Sequence, residues 1–346
     1  MKTMRIEDAI GEILCHDMTA IVESGFKGAR FKRGHIITAE DIPVMLDMGK
    51  SHVFVWEPEA EEVHEDEAAS TLTEAMCGEN VTCSGPSEGK MSISSAIDGL
   101  FCLNREALRQ INMVDDYTIA CRPGYTRVRK GDTLAGARII PLVTKRRCVD
   151  EAVRIAKENY PVLSVLPFKP LKTGVVITGN EIYYGRIKDA FEPILKKKLS
   201  GYGAEILGFT KCPDNLDMML KAIQAFVSSG ADLILLTGGM SVDPDDLTPT
   251  AIQATGARLI TQGVPMQPGN MLTMASYLDK IMLIGVPGAS MHFPTTSLDV
   301  FLPRVFAGIE ITKKEIASYG EGGLCIGCKV CRYPLCWFGT GSCQAG

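Results

Sequence analysis

The chain has 346 residues, 46% of them hydrophobic and 22% charged, and a formal charge of −5. At roughly 100–200 residues per domain that length calls for two or three cores, and the balance is that of a folded protein rather than a disordered one. The charge excludes a nucleic-acid wrapper, which would gather Lys and Arg on one face, so any anionic ligand has to be held by a local site.

Met1 to Ile13 alternates charged and apolar residues and lacks the basic start and apolar stretch of a secretory signal. No later segment is apolar for long enough to span a bilayer, so the expectation is a cytoplasmic protein with no membrane partner. Seven of the 12 cysteines are scattered singly through the first 324 residues and the other five crowd into the last 22. That asymmetry points to a local cysteine site rather than a disulfide framework.

Residues 1–56 read as a small mixed domain. Thr38 is placed to cap a short helix through Leu46, with Asp41 three residues on and Gly49 past its end, and Ser51–Trp56 then reads as a strand. Between Glu57 and Glu67, seven of 11 residues are acidic, which marks a solvated linker, assigned to 57–75, or an exposed helical face. Residues 76–170 form a middle domain of short apolar runs broken by Gly and Pro, including Tyr117–Cys121 and Ala137–Val143.

Residues 171–310 carry the clearest pattern, short β-branched runs alternating with segments of helical period. This predicts an α/β domain with a mostly parallel sheet and helices on both faces, beside smaller mixed α+β N-terminal and middle domains and a short Cys-rich tail at 311–346. The expected strands are Gly174–Thr178, Glu205–Phe209, Leu233–Thr237 and Ile281–Val286. Leu216, Met219, Leu220, Ile223, Phe226 and Val227 recur at helical spacing, closed by Gly230, and read as core.

Open parallel sheets bind ligands at the carboxyl ends of their strands, where backbone amides point outward. Four loops qualify: Thr178-Gly179-Asn180-Glu181, Thr237-Gly238-Gly239-Met240-Ser241, Gln267-Pro268-Gly269-Asn270 and Val286-Pro287-Gly288-Ala289. Each glycine removes a Cβ that would hold a phosphate off the main chain. Taken singly, each is an ordinary turn; four on one sheet suggest a shared ligand. Carboxylates follow these loops at Asp214 and at Asp243, Asp245 and Asp246. They suit either Mg2+-assisted phosphoryl or nucleotidyl transfer, or plain helix capping at Asp214 and Asp246. A P-loop is missing from the sequence, and the five histidines show no metal-site spacing.

These motifs resemble the molybdenum-cofactor biosynthesis domain shared by molybdopterin adenylyltransferases and molybdopterin molybdenumtransferases, from Thr173 to about Gly308. Thr178-Gly179-Asn180-Glu181-Ile182 and Gly185-Arg186-Ile187-Lys188-Asp189 resemble the molybdenumtransferase Thr-Gly-Asp-Glu-Leu motif and its Gly-x-Ile-x-Asp continuation. Thr237-Gly238-Gly239 through Asp246-Leu247-Thr248-Pro249 is closer to the adenylyltransferase version. Gln267 to Asn270 and Leu283 to Ala289 complete the order. Upstream, Ser95-Ala96-Ile97-Asp98-Gly99, Lys130-Gly131-Asp132 and Arg138-Ile139-Ile140-Pro141 resemble molybdenumtransferase elements.

The resemblance implies Asp214, Asp246, Asp189 and Asp98 as catalytic or metal-assisting acids. Thr178, Gly179, Glu181, Gly238, Gly239, Ser241, Pro268, Gly269, Asn270, Pro287 and Gly288 would bind substrate. It implies Mg2+, and molybdopterin or its adenylate with molybdate as substrates; a homo-oligomer and a client molybdenum enzyme are further expectations. Two departures matter. The family's Asp is Asn180 here, and its Lys-Pro-Gly-Lys reads Gln267-Pro268-Gly269-Asn270, which removes two point charges that could neutralise a phosphate or molybdate. Molybdenum insertion is the leading reading; a non-turnover molybdopterin carrier or sensor, an adenylyltransferase and a competence-damage-like pyrophosphatase are the others.

Outside the resemblance, Cys325, Cys328, Cys331 and Cys336 have the spacing C-x2-C-x2-C-x4-C, suited to Zn2+ or an iron–sulfur cluster. Cys343 would be a spare or exchange thiol.

Overall fold

The structure is a computed structural model describing residues 2–21, 27–55, 61–241, 243–244 and 246–341. Trp56, the first part of the acidic run, Asp245 and Cys343 lie outside the described residues. The chain divides into two compact units whose segments interleave: 1–96, 103–122 and 131–164 form one, and 97–102, 123–130 and 165–346 the other. No helix among the described residues is long and apolar enough to cross a membrane.

The first unit begins with two short antiparallel pairs, Lys2–Arg5 with His52–Val55 and Met18–Ile21 with Lys27–Phe31, around a small core that includes Ile6, Leu14, Ile37 and Met45. Its short helix runs Asp41–Asp47, with cap roles reversed from the sequence reading: the Thr38 N–H and hydroxyl both donate to Asp41 Oδ2, at 2.9 and 2.8 Å. A four-stranded antiparallel sheet follows, in the order Val81–Ser87, Lys90–Ser95, Thr133–Ile139, Tyr117–Cys121. Helix Glu65–Met76 occupies most of the expected 57–75 linker. Ala68, Ala69, Leu72 and Met76 share one buried face at helical spacing, so the acidic residues start a packed helix.

The second unit holds a six-stranded sheet. Its strands are β1 (Lys172–Thr178), β2 (Glu205–Cys212), β3 (Leu233–Thr237), β4 (Arg258–Gln262), β5 (Thr273–Tyr277) and β6 (Ile281–Val286), arranged in space as β2-β1-β3-β6-β5-β4. The pairs β1–β2, β1–β3 and β3–β6 are parallel, while β5–β6 and β4–β5 are antiparallel. Its main helices are α1 (Phe191–Ser200), α2 (Leu216–Ser228), α3 (Thr248–Ala254), α4 (Ser297–Ala307) and α5 (Lys313–Ser318).

Side chains alternate across a strand, and here the alternation sorts the helices. Val175, Ile177, Leu233 and Leu235 face α1 and α4 in one core, whereas Val176, Ile234 and Leu236 face α2 and α3 in the other. Helices therefore cover both faces, as the periodicity predicts.

Candidate functional site

Parallel register fixes where the glycine loops emerge. Thr178 pairs with Cys212, Ile177 with Thr237, and Thr237 with Val286, so the loops after β1, β2, β3 and β6 all leave the same edge. The antiparallel β5 starts at that edge, with Thr273 opposite Gly285, and brings the preceding Pro268-Gly269-Asn270 turn to it. All four glycine turns lie along one rim.

Hydrogen bonds tie neighbouring turns together. The Thr178 hydroxyl donates to the Thr237 carbonyl at 2.9 Å and the Thr248 hydroxyl to the Gly238 carbonyl at 2.7 Å, so Thr178 shapes the rim rather than offering its hydroxyl to a ligand. Ser297, first residue of α4, donates from Oγ to the Gly269 carbonyl at 2.6 Å and clips that turn. Gly179, Gly269 and Pro287 are buried within their turns; Glu181, Ser241, Asn270 and Gly288 are exposed.

Asp214 and Asp246 flank this arrangement: Asp214 receives the first N–H of the short helix Asn180–Tyr183, and Asp246 bonds within its own loop. The Asn180 N–H donates to Asp214 Oδ2 at 2.9 Å and the Asp214 N–H returns to Asn180 Oδ1 at 3.3 Å, while the cap of α2 is Asn215. Asp246 Oδ2 accepts the Asp243 N–H at 3.2 Å within the loop, and α3 has no side-chain cap. The amide of Asn180 leaves one charge at that corner, where an aspartate would set two carboxylates against each other.

The other two expected acids are held differently. Asp189 accepts the N–H groups of Phe191 and Glu192, at 2.8 and 3.2 Å, and so satisfies the amino end of α1. Asp98 accepts the Lys130 N–H at 2.8 Å. A capping carboxylate is worth about 1 kcal/mol. Asp189→Ala is therefore expected to lower the urea midpoint by a corresponding amount while leaving ligand affinity unchanged. A binding titration on the same variant checks the second half.

The structure does not assemble the expected four-cysteine metal site. The Cys325 N–H donates to the Gln267 carbonyl at 2.8 Å, Cys331 Sγ lies 3.2 Å from Thr295 Oγ1, Cys328 is exposed, and Cys336 packs against the α4-side core. Cys325 and Cys336 both pack against that core, and among the described residues no three His, Cys, Asp or Glu side chains converge. The tail instead adds a backbone bridge, Leu324 beside Gln267, to the rim turn.

Sequence reasoning missed a cleft of about 430 Å³ next to the Pro287-Gly288 turn, lined by Arg127, Lys197, Lys198, Tyr202, His292 and Asp299. That is large enough for a bicyclic ring system. Arg127 lies 4.9 Å from the Tyr202 ring centroid and donates to the Gly201 carbonyl at 2.6 Å, and Lys198 is paired with Asp299. Its residues come from three separate stretches of chain, none bearing a glycine-loop signature. The Thr237 and Thr273 hydroxyls are also buried without a hydrogen-bond partner among the described residues, at the rim ends of β3 and β5. Each costs about 1–3 kcal/mol in desolvation, which a core selected for stability alone would avoid with valine.

Four glycine turns and two acids thus share the carboxyl edge of this α/β sheet, the place where open parallel sheets bind ligands. Comparison with known proteins makes this particular. A family model described as a probable molybdopterin binding domain matches residues 174–307, and a model for a domain of unknown function matches residues 3–57. Residues 174–307, less than half of the chain, are thus similar to a molybdopterin-binding domain.

A molybdopterin molybdenumtransferase of Synechococcus elongatus is 28% identical over 158 residues, 43% of this chain and 37% of the relative. A CinA-like protein of Mycolicibacterium gilvum is 26% identical over 111 residues, 32% of this chain and 25% of that protein. The chain thus spans well under half of these relatives. The molybdopterin biosynthesis enzyme MoaB of a Thermus species matches at 21% identity with a TM-score of 0.32, covering 39% of this chain and 91% of that one.

Proposed function

We propose that this chain holds the phosphate end of molybdopterin, free or adenylated, on the glycine rim and acts in molybdenum insertion with molybdate as co-substrate. The observation that carries the reading is the emergence of four glycine turns, with Asp214 and Asp246 beside them, at one sheet edge. The cleft lined by Arg127, Tyr202 and His292 has the volume for a bicyclic ring and would take the pterin. Two carboxylates suit Mg2+ in the mode in which it keeps waters and shares one or two acids with a substrate phosphate. When bound there it would neutralise phosphate charge. Asp214 and Asp246 would hold it, and the turn amides would orient the phosphate.

Removing one of two charge-neutralising groups from such a site costs about 10²-fold in turnover. Asp246→Asn is accordingly expected to lower molybdate-dependent cofactor maturation by about that factor with an unchanged unfolding midpoint; turnover at the wild-type rate in a folded variant would overturn the proposal.

The loss of charge at Asn180, Gln267 and Asn270 favours a second reading, a carrier that binds molybdopterin without turnover. Anaerobic purification with identification of the bound pterin, followed by assays with molybdate and with nucleotide, separates the two. Tight pterin binding with neither activity selects the carrier, and nucleotide-dependent turnover alone selects adenylyl transfer or pyrophosphate hydrolysis.

A further inference from the structure

In the first unit, two cysteines lie side by side. Cys77 caps the carboxyl end of helix Glu65–Met76, Cys83 sits on strand Val81–Ser87, and their Sγ atoms are 3.6 Å apart in a thiol–thiol hydrogen bond. The fold gives the two sulfurs different surroundings. Cys83 is exposed on an edge strand, which pairs only with Lys90–Ser95 and breaks register between Ser84 and Ser87. Cys77 is half-buried, and the next residue, Gly78, donates its N–H to the Leu163 carbonyl at 2.8 Å. One thiol is thus open to solvent on a strand with a free side, and its neighbour is fixed and shielded.

We propose that Cys77 and Cys83 form a thiol–disulfide exchange site that reacts with low-molecular-weight disulfides of the glutathione class. The Cys83 thiolate attacks one sulfur of the external disulfide, forms a mixed disulfide and expels the first small thiolate. Cys77 then attacks Cys83 Sγ, closes the Cys77–Cys83 bond and expels the second, with the two protons of the protein thiols leaving on the departing thiols. Two protein thiols are oxidised and one small disulfide is reduced to two thiols.

The acid–base setting agrees with this order. Hydrogen bonding to Cys77 brings the Cys83 thiol down to about 7, against the upward push of burial and of the Glu74 carboxylate. The same hydrogen bond, with burial, pushes Cys77 up. An attacking thiol with a value near ambient pH combines thiolate fraction with nucleophilicity; in the second step the small thiolate expelled first can take the Cys77 proton, and adjacency raises the rate at which the resulting thiolate attacks Cys83 Sγ. Bond formation requires the sulfurs to close to about 2.05 Å, a movement that the free side of the edge strand allows.

The test uses the full native chain, oxidised glutathione as probe, alkylation, and cleavage after Lys and Arg. The sequence places Cys77 and Cys83 together in the single peptide Ser51–Lys90, with no other cysteine. In the wild type this peptide is expected to lose two hydrogens and escape alkylation unless reduced. Cys77→Ser is expected to accumulate one glutathione on Cys83, at least about threefold faster than Cys83→Ser acquires one on Cys77, as their unequal exposure requires. A wild-type peptide that stays fully alkylated, or that retains glutathione on Cys83 without closing the internal bond, would overturn the proposal.

Discussion

Gly238→Ala is expected to destabilise the sheet-bearing unit by about 3 kcal/mol or more and to abolish pterin binding. Gly238 has φ +82°, and a Cβ there would sit 2.2 Å from the Thr178 carbonyl oxygen and 2.7 Å from its hydroxyl. The left-handed conformation alone costs an L-residue roughly 1–2 kcal/mol. Overlap with main chain adds about 1–3 kcal/mol, because hydrogen-bonded backbone at the end of a parallel pair cannot rotate away as a side chain would. Relief of the clash would separate the ends of β1 and β3, and with them the Gly179 and Gly239 turns of the rim. Gly288 on the same rim is the control: its added Cβ meets nothing within 4 Å and its φ is not in the left-handed range. Gly288→Ala should fall within about 0.5 kcal/mol of wild type. Urea unfolding and pterin titration on both variants check the contrast; equal midpoints would mean that the turn is not a point of close approach.

What the sequence showed and hid follows from which contacts are local. Strands β1, β3 and β6 are buried on both faces, and unbroken runs such as Leu233–Thr237 announce that directly. Strand β4, reading Arg-Leu-Ile-Thr-Gln, is an edge strand with three exposed residues of five, and β5 holds Ala and Ser beside Thr, so neither has an apolar run to find. The helix over 65–76 was masked because its acidic first turn is continuous with the acidic run before it. At the rim the glycines were legible, since each marks its own turn. The reciprocal Asn180–Asp214 pair was not, because it joins residues 34 apart through a parallel register that sequence spacing does not express. The cysteine spacing was equally visible, but whether the folded tail turns the four thiols toward one point is not written in that spacing: two pack on the core, one is exposed and one meets Thr295. Arg304 gave no signal at all: an arginine near a helix carboxyl end reads as a surface cation.

Arg304 is instead wholly buried, and Arg304→Ala is expected to cost about 3–5 kcal/mol, the usual result of removing one partner from a buried ion pair. Its guanidinium donates to Glu315 at 2.8 Å and to the Glu310 carbonyl at 3.0 Å, and lies 4.2 Å from the Tyr125 ring centroid. The variant would leave a cavity between α4 and α5 and a half-buried carboxylate without its cation. The pH dependence has a definite sign. Burial raises the Glu315 carboxyl, but the Arg304 charge and the Thr312 N–H and hydroxyl outweigh it and hold the group below its ordinary value. The pair's contribution is therefore present above the unfolded carboxyl range, about 4.3, and is lost as the pH falls through the lower folded value. The difference in unfolding midpoint between wild type and Arg304→Ala should be full at neutral pH and shrink below about pH 4; a difference independent of pH would assign the loss to packing alone. The consequence reaches the ligand rim because α4 is anchored at both ends. Its amino end, at Ser297, clips the Gly269 turn, and its carboxyl end is held by Arg304. Loosening the second should raise the pterin dissociation constant through the first, in a residue that touches no ligand.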